Sequence, residues 1–209
     1  MRKINRQAPP ADFTKWVNKN KGATWEDFSV KAHDLYLQCR ECLKQDQDGV
    51  SGYTEKPLQK EHIDHFKTRN LFHNDRFDWY NFVVDEKEEN RFGSGIKDNV
   101  VTKEDYSNNI IINPITDNPH DYFTYNTRGE IIPRFGLNAN EKLRAVRTIE
   151  LFNLNDSVLV ESRCQVINMF STCLLDEYTI SDLERDCKYM GFYSLYDFYR
   201  ENPVVFYNF

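Results

Sequence analysis

With 209 residues, 40% of them hydrophobic and 14% aromatic, the chain is long enough to bury a core and too aromatic to be disordered. Its formal charge of -6 is the wrong sign for a protein that coats its surface with nucleic acid, so any phosphate contact must be local or supplied by a partner. No run of about 18 apolar residues occurs, and Met1 to Arg6 leads into prolines instead of an apolar signal segment; both exclude a membrane span and predict a compact cytoplasmic protein.

In chain order, residues 1–22 carry Pro9-Pro10 and read as an extended arm able to wrap the body, with a helical turn over 12–18. Thr24 followed by Trp25-Glu26-Asp27 marks a helix start, and Phe28, Leu35, Cys39, Cys42 and Leu43 continue a helical stripe, which predicts a helix over 25–47. The five cysteines are an odd number, as expected of free thiols, and Cys39 and Cys42 fall on the buried stripe of that helix. Gly49 to Pro57 has the punctuation of a tight loop.

Glu61 to His65 follows as a strand, and the aromatic, β-branched run Phe77 to Val84 as a second strand. A short helix is predicted within 92–99, and a hairpin over 121–132 around the turn Asn126-Thr127-Arg128-Gly129. Asn138 or Asn140 caps a helix carrying Leu143, Val146 and Ile149, Asp156 or Ser157 starts the next, and a third begins near Ser181. The aromatic tail from Phe192 to Phe209 must pack on the body or on another subunit.

The chemistry-bearing stretch is Glu61-His62-Ile63-Asp64-His65-Phe66-Lys67-Thr68-Arg69-Asn70. On a strand, residues 62 and 64 face one way and 63 and 65 the other, so His65 points away from Asp64. That division suits metal-assisted hydrolysis, with a carboxylate on the cation and a metal-free histidine taking a proton from water.

The order of loop, His-bearing strand, Asn-bearing strand and short helix resembles the HNH, or ββα-metal, nucleases, and in particular the retron- and Septu-associated PtuB-like branch. Val50-Ser51-Gly52-Tyr53-Thr54-Glu55, His62 to Lys67, Trp79-Tyr80-Asn81-Phe82, Phe92-Gly93 with Lys97, Asn113-Pro114, Asp121 to Asn126, Gly129 to Pro133 and Ala145 to Asn155 carry the resemblance. It implies an α+β fold, a small ββα-metal core inside a mainly helical frame, with an N-terminal arm and helix over 1–48, the nuclease core over 49–105 and a hairpin and helical region over 106–209.

It also implies roles. His65 is the general base, Asp64 a ligand of Mg2+ or a similar divalent cation, and Asn81 the residue that fixes the His-bearing loop. The helix ligand is Asn90, with Lys97 or Asp98 as alternatives; Lys67, Arg69 and Lys97 are expected to contact nucleic acid. Relatives carry Cys pairs around a structural zinc, whereas Ser51-Gly52-Tyr53-Thr54 stands at one of those positions here. Hydroxyls are poor zinc ligands, so we expect no structural zinc, and a lobe held by Tyr53, Phe66, Phe82 and Phe92 instead.

The implied partners are nucleic acid, DNA or tRNA, a PtuA-like ABC ATPase, and a retron reverse transcriptase with its multicopy single-stranded DNA. The rival expectation is an HNH-derived scaffold or interaction subunit without nuclease activity. An intact site should bring Asp64 and a helix Asn or Asp together around a gap the size of a cation.

Overall fold

Alternation along Glu61-His62-Ile63-Asp64-His65 gives the segment two unlike faces, and it forms strand β1 (Glu61–His65), antiparallel to β2 (Phe82–Glu86). This is a computed structural model, and it describes residues 1–87, 90–173, 182 and 189–202. The register sets Ile63 opposite Val84 and His65 opposite Phe82 on one face, and Asp64 opposite Val83 and His62 opposite Asp85 on the other.

The hairpin therefore serves two cores. One gathers Phe13, Phe28, Cys39, Leu43, Ile63, Trp79, Phe82 and Val84; the other includes Tyr53, Phe66, Val83, Phe152, Phe170 and Phe192. Tyr53, Phe66, Phe82 and Phe92, the expected anchors of the lobe, are all buried. Cys39 lies on the core face as expected, and burial pushes its thiol up to about 12, whereas Cys42, expected on the same stripe, is exposed.

The expected helix over 25–47 is interrupted. A π-helical turn (Asp27–Lys31) precedes α2 (His33–Gln45), with Ala32 leaving helical angles between them at φ −105° and ψ 42°. Thr24 and Asp27 cap the turn reciprocally, and its wider winding seats fully buried Phe28 against Phe13, Trp16, Trp25, Tyr36 and Phe77. Likewise the expected strand over 77–84 begins late, because Trp79–Asn81 form a 3-10 turn capped by Asp78.

After β2 the chain enters α3 (Ser94–Val100) and α4 (Lys103–Ser107). The second hairpin pairs β3 (Phe123–Tyr125) with β4 (Ile131–Pro133), within the predicted span but for Pro133. Asn138 caps α5 (Ala139–Leu151) in a reciprocal box with Glu141, and α6 runs Ser157–Cys173. The described residues make an α+β fold, helices around two separate two-stranded sheets, and among them no helix is long and apolar enough to cross a membrane.

Both chain ends bear on these cores. The arm wraps the body: Ile4 N donates to Pro114 O, Arg6 reaches Asp46 and Phe82 O, and Trp79 Nε1 donates to Gln7 O ahead of α1 (Ala11–Lys19). The predicted helix near Ser181 lies largely outside the described residues, as do 203–209 of the tail. The rest of the tail folds inward as α7 (Tyr193–Glu201), with Phe192, Leu195 and Tyr196 buried. Gly191, at φ +73°, makes this close approach possible, since a Cβ there would sit 2.2 Å from Glu55 O.

Candidate functional site

The β1–β2 hairpin and α3 meet around the side chain of Asp64. Asp64 is buried, accepts a hydrogen bond from Tyr53 OH at 2.6 Å and receives Lys97 Nζ at 2.7 Å. Lys97, from the middle of α3, is fully buried. Its ammonium also donates to His65 O at 2.5 Å, and Asp98 Oδ1 lies 3.0 Å away. Phe66 O stands 3.4 Å away as well, so the three donors of the ammonium face four oxygens and none lacks an acceptor.

The electrostatics follow from that arrangement. Burial alone would raise the Asp64 carboxyl, but the Lys97 charge, with the bonds from Lys97 and Tyr53, outweighs it and holds the group below the ordinary carboxylate range. Asp98 moves the other way, raised first by burial and then by the Asp64 charge, with Lys97 offsetting part of the rise. Asp98 is half-exposed and marks the solvent edge of the cluster.

His65 does face away from Asp64, as the period of the strand predicts. It is 3% exposed and set edge-on between Trp25, with centroids 4.4 Å apart, and Phe82, at 5.1 Å. Nε2 lies 2.9 Å from Arg76 O; a carbonyl only accepts, so Nε2 carries the proton. Burial lowers the imidazole from its ordinary 6.5 to about 4, with Arg69 and Lys97 adding to the fall and the Arg76 carbonyl and Asp64 opposing it. So weak a base, walled in by rings, is poorly suited to deprotonating water at neutral pH.

That low value makes a stability prediction. The folded-state value lies below that of the unfolded chain, so the unfolded state takes up the proton first as pH falls from about 6.5 to about 4. Stability should drop across that window by about 3 kcal/mol. The comparison is of urea midpoints at pH 7.5 and 4.5 for wild type and His65→Phe. Both proteins share the carboxylates, whose effects cancel; an equal pH slope in the two would refute the assignment.

Asn81, 4% exposed, holds the loop after β1. Its Oδ1 accepts from Lys67 N at 2.7 Å and its Nδ2 donates to Lys67 O at 3.0 Å, with Asp75 O at 3.4 Å, which satisfies loop backbone that no strand pairs. Lys67 and Arg69 are exposed on this loop, the first 3.5 Å from Asp75 and the second 5.2 Å over the Trp25 ring. Lys97, expected beside them on the nucleic-acid face, instead turns its ammonium inward, where two carboxylates outcompete solvent. Asn90, expected as the helix ligand, is exposed and lies before α3 begins; Asp98 is the helix carboxylate that converges with Asp64.

A buried carboxylate missed by sequence reasoning ties the lobe together. Asp85 accepts from Ser51 Oγ at 2.5 Å and from Ser94 N, the first residue of α3, at 2.7 Å, while Ser51 Oγ accepts from Tyr53 N and Thr54 N. So Ser51, standing where the resemblance implies a thiolate, joins loop, strand and helix through hydrogen bonds. Gly93, at φ +66°, leaves the room: a Cβ would approach Asp85 Oδ2 to 2.5 Å. Asp85→Ala would orphan two buried donors at about 1–3 kcal/mol each. Thermal unfolding that matches wild type within about a degree would show that the cluster contributes nothing.

The donor set also tests whether this site suits the divalent cation that the resemblance implies. It does not in this arrangement, because the place between Asp64 and Asp98 is taken by the Lys97 ammonium. Among the described residues no group of three or more His, Cys, Asp and Glu could hold a metal. Two open clefts, of about 470 Å³ beside Trp16 and Lys31 and about 350 Å³ beside Lys67 and Tyr106, are lined by neither Asp64 nor His65. No protein-family model matches the chain, and no curated protein matches it.

Proposed function

We propose that this chain is an HNH-derived interaction subunit of a nucleic-acid-directed antiphage complex, working beside a PtuA-like ABC ATPase. The observation that carries this reading is the state of the expected base and metal positions: His65 packed between Trp25 and Phe82 with 3% exposure, and Asp64 paired with the Lys97 ammonium in the place a cation would take. The loop pinned by Asn81 remains a usable surface, presenting Lys67 and Arg69 for local phosphate contact despite the acidic balance of the chain.

The second reading is a metal-dependent HNH endonuclease with His65 as base and Asp64 on Mg2+. The Asn81 clamp and the approach of Asp64 to a helix carboxylate favour it. It requires Lys97 to leave Asp64 and water to reach His65 Nδ1, the nitrogen left unprotonated by the Nε2 bond to Arg76 O, a rearrangement the ATPase, nucleic acid or the retron reverse transcriptase would have to drive.

One assay separates the two. The chain co-purified with its ATPase is incubated with duplex DNA, single strands and tRNA in Mg2+ or Mn2+, next to His65→Ala. The interaction reading expects co-purification and equal, background-level cutting from both. Cleavage that disappears in His65→Ala would sink it and establish the endonuclease.

A further inference from the structure

We infer that Lys97 is a tethered cation that takes the place of a divalent metal ion, so that the wild-type module accepts no metal there and uncovers a hard-cation site when the lysine is removed. The inference goes beyond the proposed function, since it concerns which cation the module holds whatever it docks on.

The oxygens around Lys97 Nζ have the character of a hard-cation set. Asp64 Oδ2 at 2.7 Å and Asp98 Oδ1 at 3.0 Å are carboxylate oxygens from β1 and α3; His65 O at 2.5 Å and Phe66 O at 3.4 Å are main-chain carbonyls. Carboxylates plus carbonyls are what Ca2+, Mn2+ and Mg2+ prefer, at roughly 2.0–2.6 Å. The set is preorganised from behind: Tyr53 OH holds Asp64, and Asn81 holds the chain just after Phe66 through both backbone groups of Lys67.

An ammonium suits the same surroundings at one unit of charge. Its distances are those of hydrogen bonds, longer than metal bonds, and Lys97 is buried along its whole length, with no exposed surface. A divalent ion could not enter beside it without sitting against a like charge. With the stem gone, half-exposed Asp98 leaves a route in from solvent, and the two carboxylates would face each other uncompensated, which favours cation uptake.

The test uses the full chain with Mn2+ and Ca2+ as probes, followed by calorimetric titration and thermal unfolding. Wild type should show no saturable binding and the same Tm in EDTA and in excess Mn2+. Lys97→Ala should gain one saturable site, with Tm raised by about 5–10 °C when the ion is a hundredfold over its Kd. Asp64→Asn combined with Lys97→Ala should lose that gain, and Lys97→Met, which keeps the stem, should not acquire it.

Wild type binding one ion in a manner abolished by Asp64→Asn would overturn the inference. So would a Lys97→Ala protein that folds yet binds nothing, or one that stays unfolded in EDTA and in millimolar Mn2+ alike. A Lys97→Ala protein that folds only when Mn2+ is present would support it. None of these readouts is nuclease activity, so their outcome is independent of the cleavage assay.

Discussion

Asp64→Ala should destabilise the protein by about 3–5 kcal/mol, the range expected when one partner of a buried ion pair is removed. The loss has two parts. Lys97 keeps a fully buried ammonium with Asp98 and two carbonyls but without its closest carboxylate, and Tyr53 OH is left without its acceptor at zero exposure, itself a cost of about 1–3 kcal/mol. Asp98→Ala removes a carboxylate of the same cluster, yet its half-exposed side chain competes with water, and the expected change is about 1 kcal/mol or less. Urea unfolding of the three proteins at pH 7 measures the contrast. Equal losses for Asp64→Ala and Asp98→Ala would mean that the Asp64–Lys97 pair is not the buried centre of the module. Below the ordinary carboxylate value of 3.8 the wild type should itself lose this stabilisation, because Asp64 is held low in the folded state and its protonation then opposes folding.

Deleting residues 192–209 should unfold the protein. The sequence leaves this tail to pack either on the body or on another subunit, and its described part belongs to the core. Phe192, Leu195 and Tyr196 are buried, and removing even one large core side chain costs about 2–5 kcal/mol. Ser194 donates to Glu55 through N at 2.8 Å and Oγ at 2.5 Å, and Phe192 N donates to Glu55 O, so the deletion also orphans buried acceptors. Their combined loss is as large as the roughly 5–15 kcal/mol by which a domain of this kind is stable. Removing only 203–209 spares every one of these contacts and should leave a folded protein by circular dichroism. If those last residues dock on the ATPase, the shorter deletion alone abolishes co-purification. A folded, cooperatively melting chain lacking 192–209 would refute the core assignment.

Much of the local architecture could be read from the sequence because its causes are local. The period of two in Glu61 to His65 put Asp64 and His65 on opposite faces, and they are there. Asn138 or Asn140 signalled a capped helix, of which Asn138 is the cap, Asn126 to Gly129 signalled a hairpin, and the aromatic residues of the lobe its packing. Other readings failed where a local pattern carried on through a break in the backbone: the stripe from Phe28 to Leu43 continues in register, yet Ala32 separates a π turn from α2.

The state of the candidate site was a matter for the tertiary structure. Lys97 lies 33 residues from Asp64, and in sequence it is one more basic residue, as ready for a phosphate as for a carboxylate. What turns it inward is the convergence of Asp64, Asp98 and His65 O, none of which spacing along the chain can orient. Asp85 reads as one more acidic residue until β2 sets it opposite Ser51 and the start of α3. The tail reads as an apolar surface until Glu55, 139 residues away, receives Ser194. Chain periodicity sets which face a side chain occupies; which groups wait on that face depends on long-range packing, and for a buried charge that partner determines whether the residue binds a ligand or takes the ligand's place.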